Sequence, residues 1–221
     1  MPRVARIIAP GYPHHVTQRG NYGQIIFEVP GDYRRYLAWL EEYCRRYDLE
    51  IWSYCIMTNH VHFVCVPGRA DSLSRTFNTL HMRYSQYVNR KKGASGHLWQ
   101  GRFYSSILDE HHAYAAVRHV ENNPVRAGLV PRAEGYEWSS AGTHVSGTRH
   151  ALVADTCAEV LGIDDWQTYL GGEEDGQAVE TVRKNTMTGR PSGSETFIDT
   201  LETLLGCRLR ALPRGRPRRR K

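Results

Sequence analysis

Apolar and polar positions along the first 130 residues sort the chain into short strands and amphipathic helices. Residues 13–17, 24–29, 50–57 and 60–66 are rich in Ile, Val, Tyr, Trp and Phe, the composition of strands. The first two are placed to form one hairpin, and Thr58-Asn59 is a two-residue link that closes another between the last two. Over residues 32–47, Tyr33, Tyr36, Leu37, Leu40 and Cys44 recur at spacings of three and four, predicting a helix with Asp32 as its N-cap. Residues 73–88 repeat the pattern through Leu73, Phe77, Leu80, Tyr84, Tyr87 and Val88, with Asp71 or Ser72 as cap. A glycine-punctuated turn at 93–96 leads to a strand at 103–108 and a helix at 110–122, stopped by Pro124.

This order of elements fits an α+β ferredoxin-like sandwich, with helices on one face of an antiparallel sheet and the other face open to a ligand. Beyond residue 131 the texture changes to Gly, Ser, Thr and acidic stretches with short apolar patches, which predicts a small, mostly helical accessory region. Its most periodic part, 195–205, puts Phe197, Leu201, Leu204 and Leu205 on one face. The expected division is a core at 1–130, the accessory region at 131–207 and a basic tail at 208–221.

At 221 residues and 40% hydrophobic composition the chain can bury a core. No run of about 18 uncharged apolar residues appears, which argues against a membrane span and leads to the expectation of a cytoplasmic, nucleoid-associated protein. Cys44, Cys55, Cys65, Cys157 and Cys207 are scattered and never spaced Cys-x-x-Cys, so they read as small buried hydrophobes. The net charge of +6 is local: eight of the 29 Lys and Arg residues lie at 208–221, and the remaining 21 face 23 acidic residues. Such an arm suits a polyanion. Its Arg214-Gly215-Arg216-Pro217 matches the AT-hook, whose arginines lie in a narrow A·T minor groove.

Candidate chemistry centres on His60-Val61-His62. Alternate side chains of a strand share a face, so both imidazoles project together roughly 7 Å apart at Cα, two ligands ready for one divalent ion. Apolar Ile56, Val61, Phe63 and Val64 bury the strand around them. Met57-Thr58-Asn59-His60-Val61-His62-Phe63 resembles the His-hydrophobic-His signature of HUH single-strand nucleases, and more narrowly that of REP-associated tyrosine transposases. His15-Val16-Thr17-Gln18-Arg19-Gly20-Asn21, Leu98-Trp99-Gln100-Gly101-Arg102-Phe103-Tyr104 and Asn123-Pro124-Val125-Arg126-Ala127-Gly128-Leu129-Val130 extend the resemblance, in order, along nearly the whole chain.

The resemblance implies a ferredoxin-like transposase core that acts on single-stranded or hairpin DNA, as a monomer or homodimer. Mg²⁺ or Mn²⁺ is held by His60, His62 and Asn123 and polarises the scissile phosphate. In the family a helix tyrosine attacks, and the phosphotyrosyl ester it forms allows rejoining. That tyrosine stands four residues before the Asn of the Asn-Pro motif, a position held here by His119. Three roles are open to His119: nucleophile, general base for water, or a residue left where cleavage is lost and only hairpin binding remains. Tyr114 is rotated by about 140° onto another helical face, and Tyr104 on the preceding strand is the other candidate phenol. His112 lies near the face of His119. Asn123 serves as a metal ligand or as a helix C-cap. Arg19, Arg83, Arg90, Lys91, Lys92, Arg102 and Arg126 are candidates for phosphate contacts, with Arg214 and Arg216 in the tail. Tyr84, Tyr87 and Trp99 are candidate stacking platforms, though Tyr84 falls on the apolar stripe of its helix.

Overall fold

A computed structural model describes residues 6–211. Strands β1 (His14–Arg19), β2 (Leu49–Ile56), β3 (His60–Pro67) and β4 (Tyr104–Ile107) form one sheet in the order β2-β3-β1-β4, each neighbouring pair antiparallel. Helix α1 (Pro30–Tyr47) joins β1 to β2, and α2 (Ser72–Lys92) joins β3 to β4, which completes the ferredoxin-like sandwich that the element order predicts.

Residues 24–29 are not a strand. Both edges of β1 are already taken, by β3 and by β4, so a hairpin partner following it has no edge to join. Instead the Ile26 and Phe27 N–H groups both reach the Thr58 carbonyl, at 2.9 and 3.0 Å, and their side chains enter the core. Helix α1 begins two residues earlier than expected because Pro30 suits the first turn, where its missing N–H would have no partner anyway. Asp32 therefore sits at the third helical position, and its Oδ2 reaches back to accept the N–H groups of Glu28 and Val29 at 3.0 and 3.2 Å.

Alternation splits β3 between two layers. Val61, Phe63 and Cys65 join an apolar layer with Tyr36 and Leu40 of α1 and Phe77, Leu80 and Tyr84 of α2. Tyr84 and Trp99 are sealed into it, with the Tyr84 hydroxyl donating to the Ile26 carbonyl at 2.8 Å and the Trp99 indole to the His81 carbonyl at 3.2 Å. Neither ring has a face to offer a base, and Tyr87 spends its hydroxyl on Asp32 at 2.8 Å. Cations on this side are also engaged. Arg83 pairs with Glu42 at 3.0 Å, Lys91 with Asp32 at 3.0 Å and Lys92 with Glu28 at 2.7 Å.

The opposite sheet face is partly covered too. Helix α3 (Glu110–Glu121) lays Ala113, Ala116, Val117 and Val120 against Trp52, Cys55 and Val64 of the sheet. The backbone breaks at Asn122, which takes the C-cap position, and resumes as the short α4 (Asn123–Arg126). Helices α5 (Ala141–Ser146), α6 (Thr156–Leu161), α7 (Trp166–Gly171), α8 (Gly176–Thr188) and α9 (Glu195–Leu205) follow. Cys157, Tyr169, Leu170 and Val182 from this stretch share the second layer, and α8 lies along β4 and α3. Cys44, Cys55, Cys65 and Cys157 are buried as expected, whereas Cys207 is exposed. Among the described residues no helix is long and apolar enough to cross a membrane. The AT-hook-like arginines Arg214 and Arg216 lie outside the described residues.

Candidate active site

Antiparallel register builds a polar row on the α3 side of the sheet. His60 stands opposite Arg19, His62 opposite Thr17, and Thr17 in turn opposite Tyr104 on β4. Residues paired across strands point to the same face, so His62, Thr17 and Tyr104 form a line across three strands. Side chains of α3, α4 and α8 wall this line into a cavity of about 440 Å³ that includes His15, His60, His62, Tyr104, His119 and Asn123. The His60 and His62 rings stand 5.1 Å apart between centroids, nearly perpendicular to each other at 84°, and both line the cavity.

Each histidine is gripped through one ring nitrogen. His60 Nδ1 lies 2.6 Å from Asn59 Oδ1, while the Asn59 amide donates its own N–H to the Gly23 carbonyl at 3.1 Å. Asn59 thus has an acceptor to offer, so His60 carries its proton on Nδ1 and a lone pair on Nε2. His62 Nδ1 lies 3.1 Å from His15 Nε2, and His15 Nδ1 lies 2.8 Å from Thr186 Oγ1 on α8. Burial keeps all three rings neutral. Desolvation, then the charge of Arg19, lowers His60 to about 4. Desolvation, then His119, lowers His15 to about 3, and desolvation followed by His15 and His60 drives His62 well below its ordinary value.

Neutral imidazole is the form that ligates a metal. Asn123 also lines this cavity, and its Nδ2 is buried without a hydrogen-bond partner. Rotating an amide by half a turn exchanges nitrogen for oxygen, so the same side chain can present a carbonyl to the cavity. Among the described residues no three His, Cys, Asp or Glu side chains cluster closely enough to hold an ion by themselves. Two imidazoles and an amide oxygen fit Mg²⁺ or Mn²⁺ when water or phosphate oxygens complete the shell.

His119 reaches the cavity but is tied down. It is 9% exposed, and its Nε2 accepts an N–H from Arg126 at 3.3 Å. Arg126 also donates to the His119 carbonyl at 2.6 Å and pairs with Glu174 at 2.5 Å. His119 Nδ1 stands 3.5 Å from Glu174 Oε1. Desolvation lowers this imidazole while Glu174 opposes the shift, so the ring is neutral and its lone pair is occupied by a guanidinium. Tyr114 lies elsewhere, its ring 4.6 Å from that of Tyr169 and its hydroxyl accepting from Arg118 at 3.3 Å. His112 is bound to Asp109 at 2.7 Å, at the start of α3. The phenol that lines the cavity is Tyr104, 40% exposed.

A larger cavity of about 770 Å³ adjoins the first, with Gln100, Tyr104, Thr186 and Met187 lining both. Its wall carries Arg6, Arg102, Arg190 and Arg208. Burial, and after it the nearby charge of Arg102, lowers Arg6 to about 10. Arg210 on the same wall is neutralised by Glu195, Asp199 and Glu202.

Of the arginines singled out from sequence, Arg19 and Arg126 line the histidine cavity and Arg102 the larger one, while Arg83 faces the other side of the sheet. Sequence reasoning missed His15, Glu174, Arg183 and Thr186. Alternation alone could have put His15 on the face of Thr17, but Thr186 meets it across 171 positions, beyond any local signal.

A family model described as "Transposase IS200 like" matches residues 11–123, from just before β1 through α3 to Asn123. Among solved structures, "Structure of the REP associates tyrosine transposase bound to a REP hairpin" is similar, with a TM-score of 0.51 and 18% identity over 71% of this chain and 93% of that one. At this identity the likeness is one of fold. No curated protein matches the chain.

Proposed function

The chain belongs to the IS200-like transposase family, and from that premise we propose that it binds single-stranded or hairpin DNA and, with a divalent ion, cuts and rejoins one strand. The observation that carries this reading is a pair of neutral imidazoles on β3, each with Nδ1 committed, sharing a cavity with an unsatisfied Asn123 amide. Held by His60, His62 and Asn123, Mg²⁺ or Mn²⁺ would supply Lewis acidity toward the scissile phosphate. Arg6, Arg102, Arg190 and Arg208 contact backbone phosphates in the adjoining cavity. A strand passing through both cavities runs by Tyr104, which lines each.

In this reading attack falls to Tyr104, because the Nε2 lone pair of His119 is engaged by Arg126. The phenol oxygen bonds to phosphorus, the bond to the 3′ oxygen breaks, and the proton given up by the phenol returns to that departing oxygen. The ester keeps the bond energy for rejoining. His119 fixes Arg126 against the cavity wall.

The Arg126 contact also favours a second reading, a hairpin-binding protein that no longer cuts, since the helix position facing the cavity carries no phenol. Incubation with Mn²⁺ and a 3′-labelled hairpin oligonucleotide, followed by denaturing electrophoresis, separates the two. A covalent adduct that survives His119→Ala and Tyr114→Phe but not Tyr104→Phe is expected. Loss of the adduct in His119→Ala alone returns the attack to His119. Tight binding with no cut product under any divalent ion leaves the hairpin-binding reading.

A further inference from the structure

We infer that His15 and Thr186 form a relay that sets the tautomer of His62, so that accessory helix α8 governs whether a core strand can ligate a divalent ion. The inference rests on the metal reading above. Thr186 is 1% exposed and has a single hydroxyl proton, which it gives to the Val182 carbonyl one turn back, at 2.7 Å. Its oxygen can then only accept, so the 2.8 Å contact with His15 puts the proton on His15 Nδ1. His15 is 2% exposed and has no carboxylate partner among the described residues, conditions that keep an imidazole uncharged. Its Nε2 therefore carries a lone pair. Across the 3.1 Å contact His62 must be the donor through Nδ1, which leaves its Nε2 bare for a ligand.

Reversing the relay disables the site. A proton on His15 Nε2 would make His62 Nδ1 the acceptor and move the His62 proton to Nε2, where it would block ligation. His60 is set separately by Asn59, a sequence neighbour. One ligand of the pair is thus prepared locally and the other by a residue of the accessory region. His15 and Thr186 act as positioning residues, and loss of such a partner typically weakens metal affinity 10–100-fold.

Two measurements on the full chain test the relay. In metal-free wild type labelled with ¹⁵N-histidine, two-bond proton–nitrogen correlations are expected to report Nδ1–H tautomers for both His15 and His62. An Nε2–H tautomer at either overturns the inference, and this decides the matter even if a variant fails to fold. Mn²⁺ binding, followed by calorimetry and by the spin resonance of the bound ion, is expected to weaken about tenfold in Thr186→Val and to stay within about twofold of wild type in Thr186→Ser, which keeps the hydroxyl. Thermal unfolding in EDTA distinguishes a lost ligand from a lost fold. Undiminished Mn²⁺ binding by folded Thr186→Val overturns the relay and leaves the metal reading standing. Absence of Mn²⁺ binding by wild type overturns the metal reading itself, and the relay's purpose with it.

Discussion

Toward α1 and α2, β3 presents Val61, Phe63 and Cys65, all fully buried against apolar neighbours; toward α3, on the alternate positions, it presents His60 and His62, held through single ring nitrogens. The two sides are ordered by different physics. Apolar contact is non-directional and scales with the area removed from water, so the first side depends on volume. Hydrogen-bonded rings in a low-dielectric cavity depend on which atom carries each proton, so the second side depends on polarity and geometry. One strand therefore carries stability on one face and candidate chemistry on the other.

The largest expected effect tests the apolar side. Phe63→Ala should cost about 3–5 kcal/mol in urea unfolding, the range for truncating a buried aromatic. His62→Ala should cost about 1–2 kcal/mol, the scale of one buried partner left unsatisfied. Equal losses from the two would erase the distinction between the faces.

Acid should strike both faces, because each buries histidines. His14, on the α1 side, is lowered to about 4 by desolvation despite a bond to the Tyr12 carbonyl, and His15, on the α3 side, to about 3. An ordinary imidazole binds its proton near pH 6.5. The unfolded chain therefore takes up more protons than the folded one as pH falls from about 6.5 toward the lowered values, and stability must decline across that window. His14 alone would contribute about 3 kcal/mol. A urea midpoint that stays level from pH 7 to pH 4 would contradict the burial of these rings as neutral species.

Slightly smaller in free energy, and confined to the polar side, is the loss of a ligand. His60→Ala should reduce strand cutting about a hundredfold, about 2.7 kcal/mol, while the unfolding midpoint moves little. Cutting that persists in His60→Ala would remove the divalent ion from the account. The smallest effect belongs to the arginine wall. Arg102→Ala should lower the slope of log affinity against log salt by about 0.9 for hairpin DNA. An unchanged slope would put the phosphates elsewhere.

Much of this architecture is legible in the sequence. The spacing of Tyr36, Leu40, Phe77 and Leu80 located α1 and α2, and alternation around Val61 placed the two imidazoles of β3 on one face. Local rules failed where a partner came from far away. Residues 24–29 have strand composition, yet β1 had no edge left for them. Trp99 is a candidate platform for bases from sequence but turns inward, beside Tyr84, whose place on the apolar stripe of its helix already points to the core, because burying an aromatic ring removes apolar surface from water. His119 is open to three roles from the sequence, which gives no sign of the Arg126 and Glu174 contacts that surround its ring.

What the amino-acid order determined alone is the four strands of the sheet, helices α1 to α3 and the two histidines on one strand face, because periodicity and alternation act over a few residues. What only the tertiary structure decided is which residue meets His62 and the company His119 keeps. Thr186 and Arg126 reach the cavity from α8 and α4, Glu174 meets His119 and Arg126 from the segment before α8, and these contacts exist only once the elements have packed together.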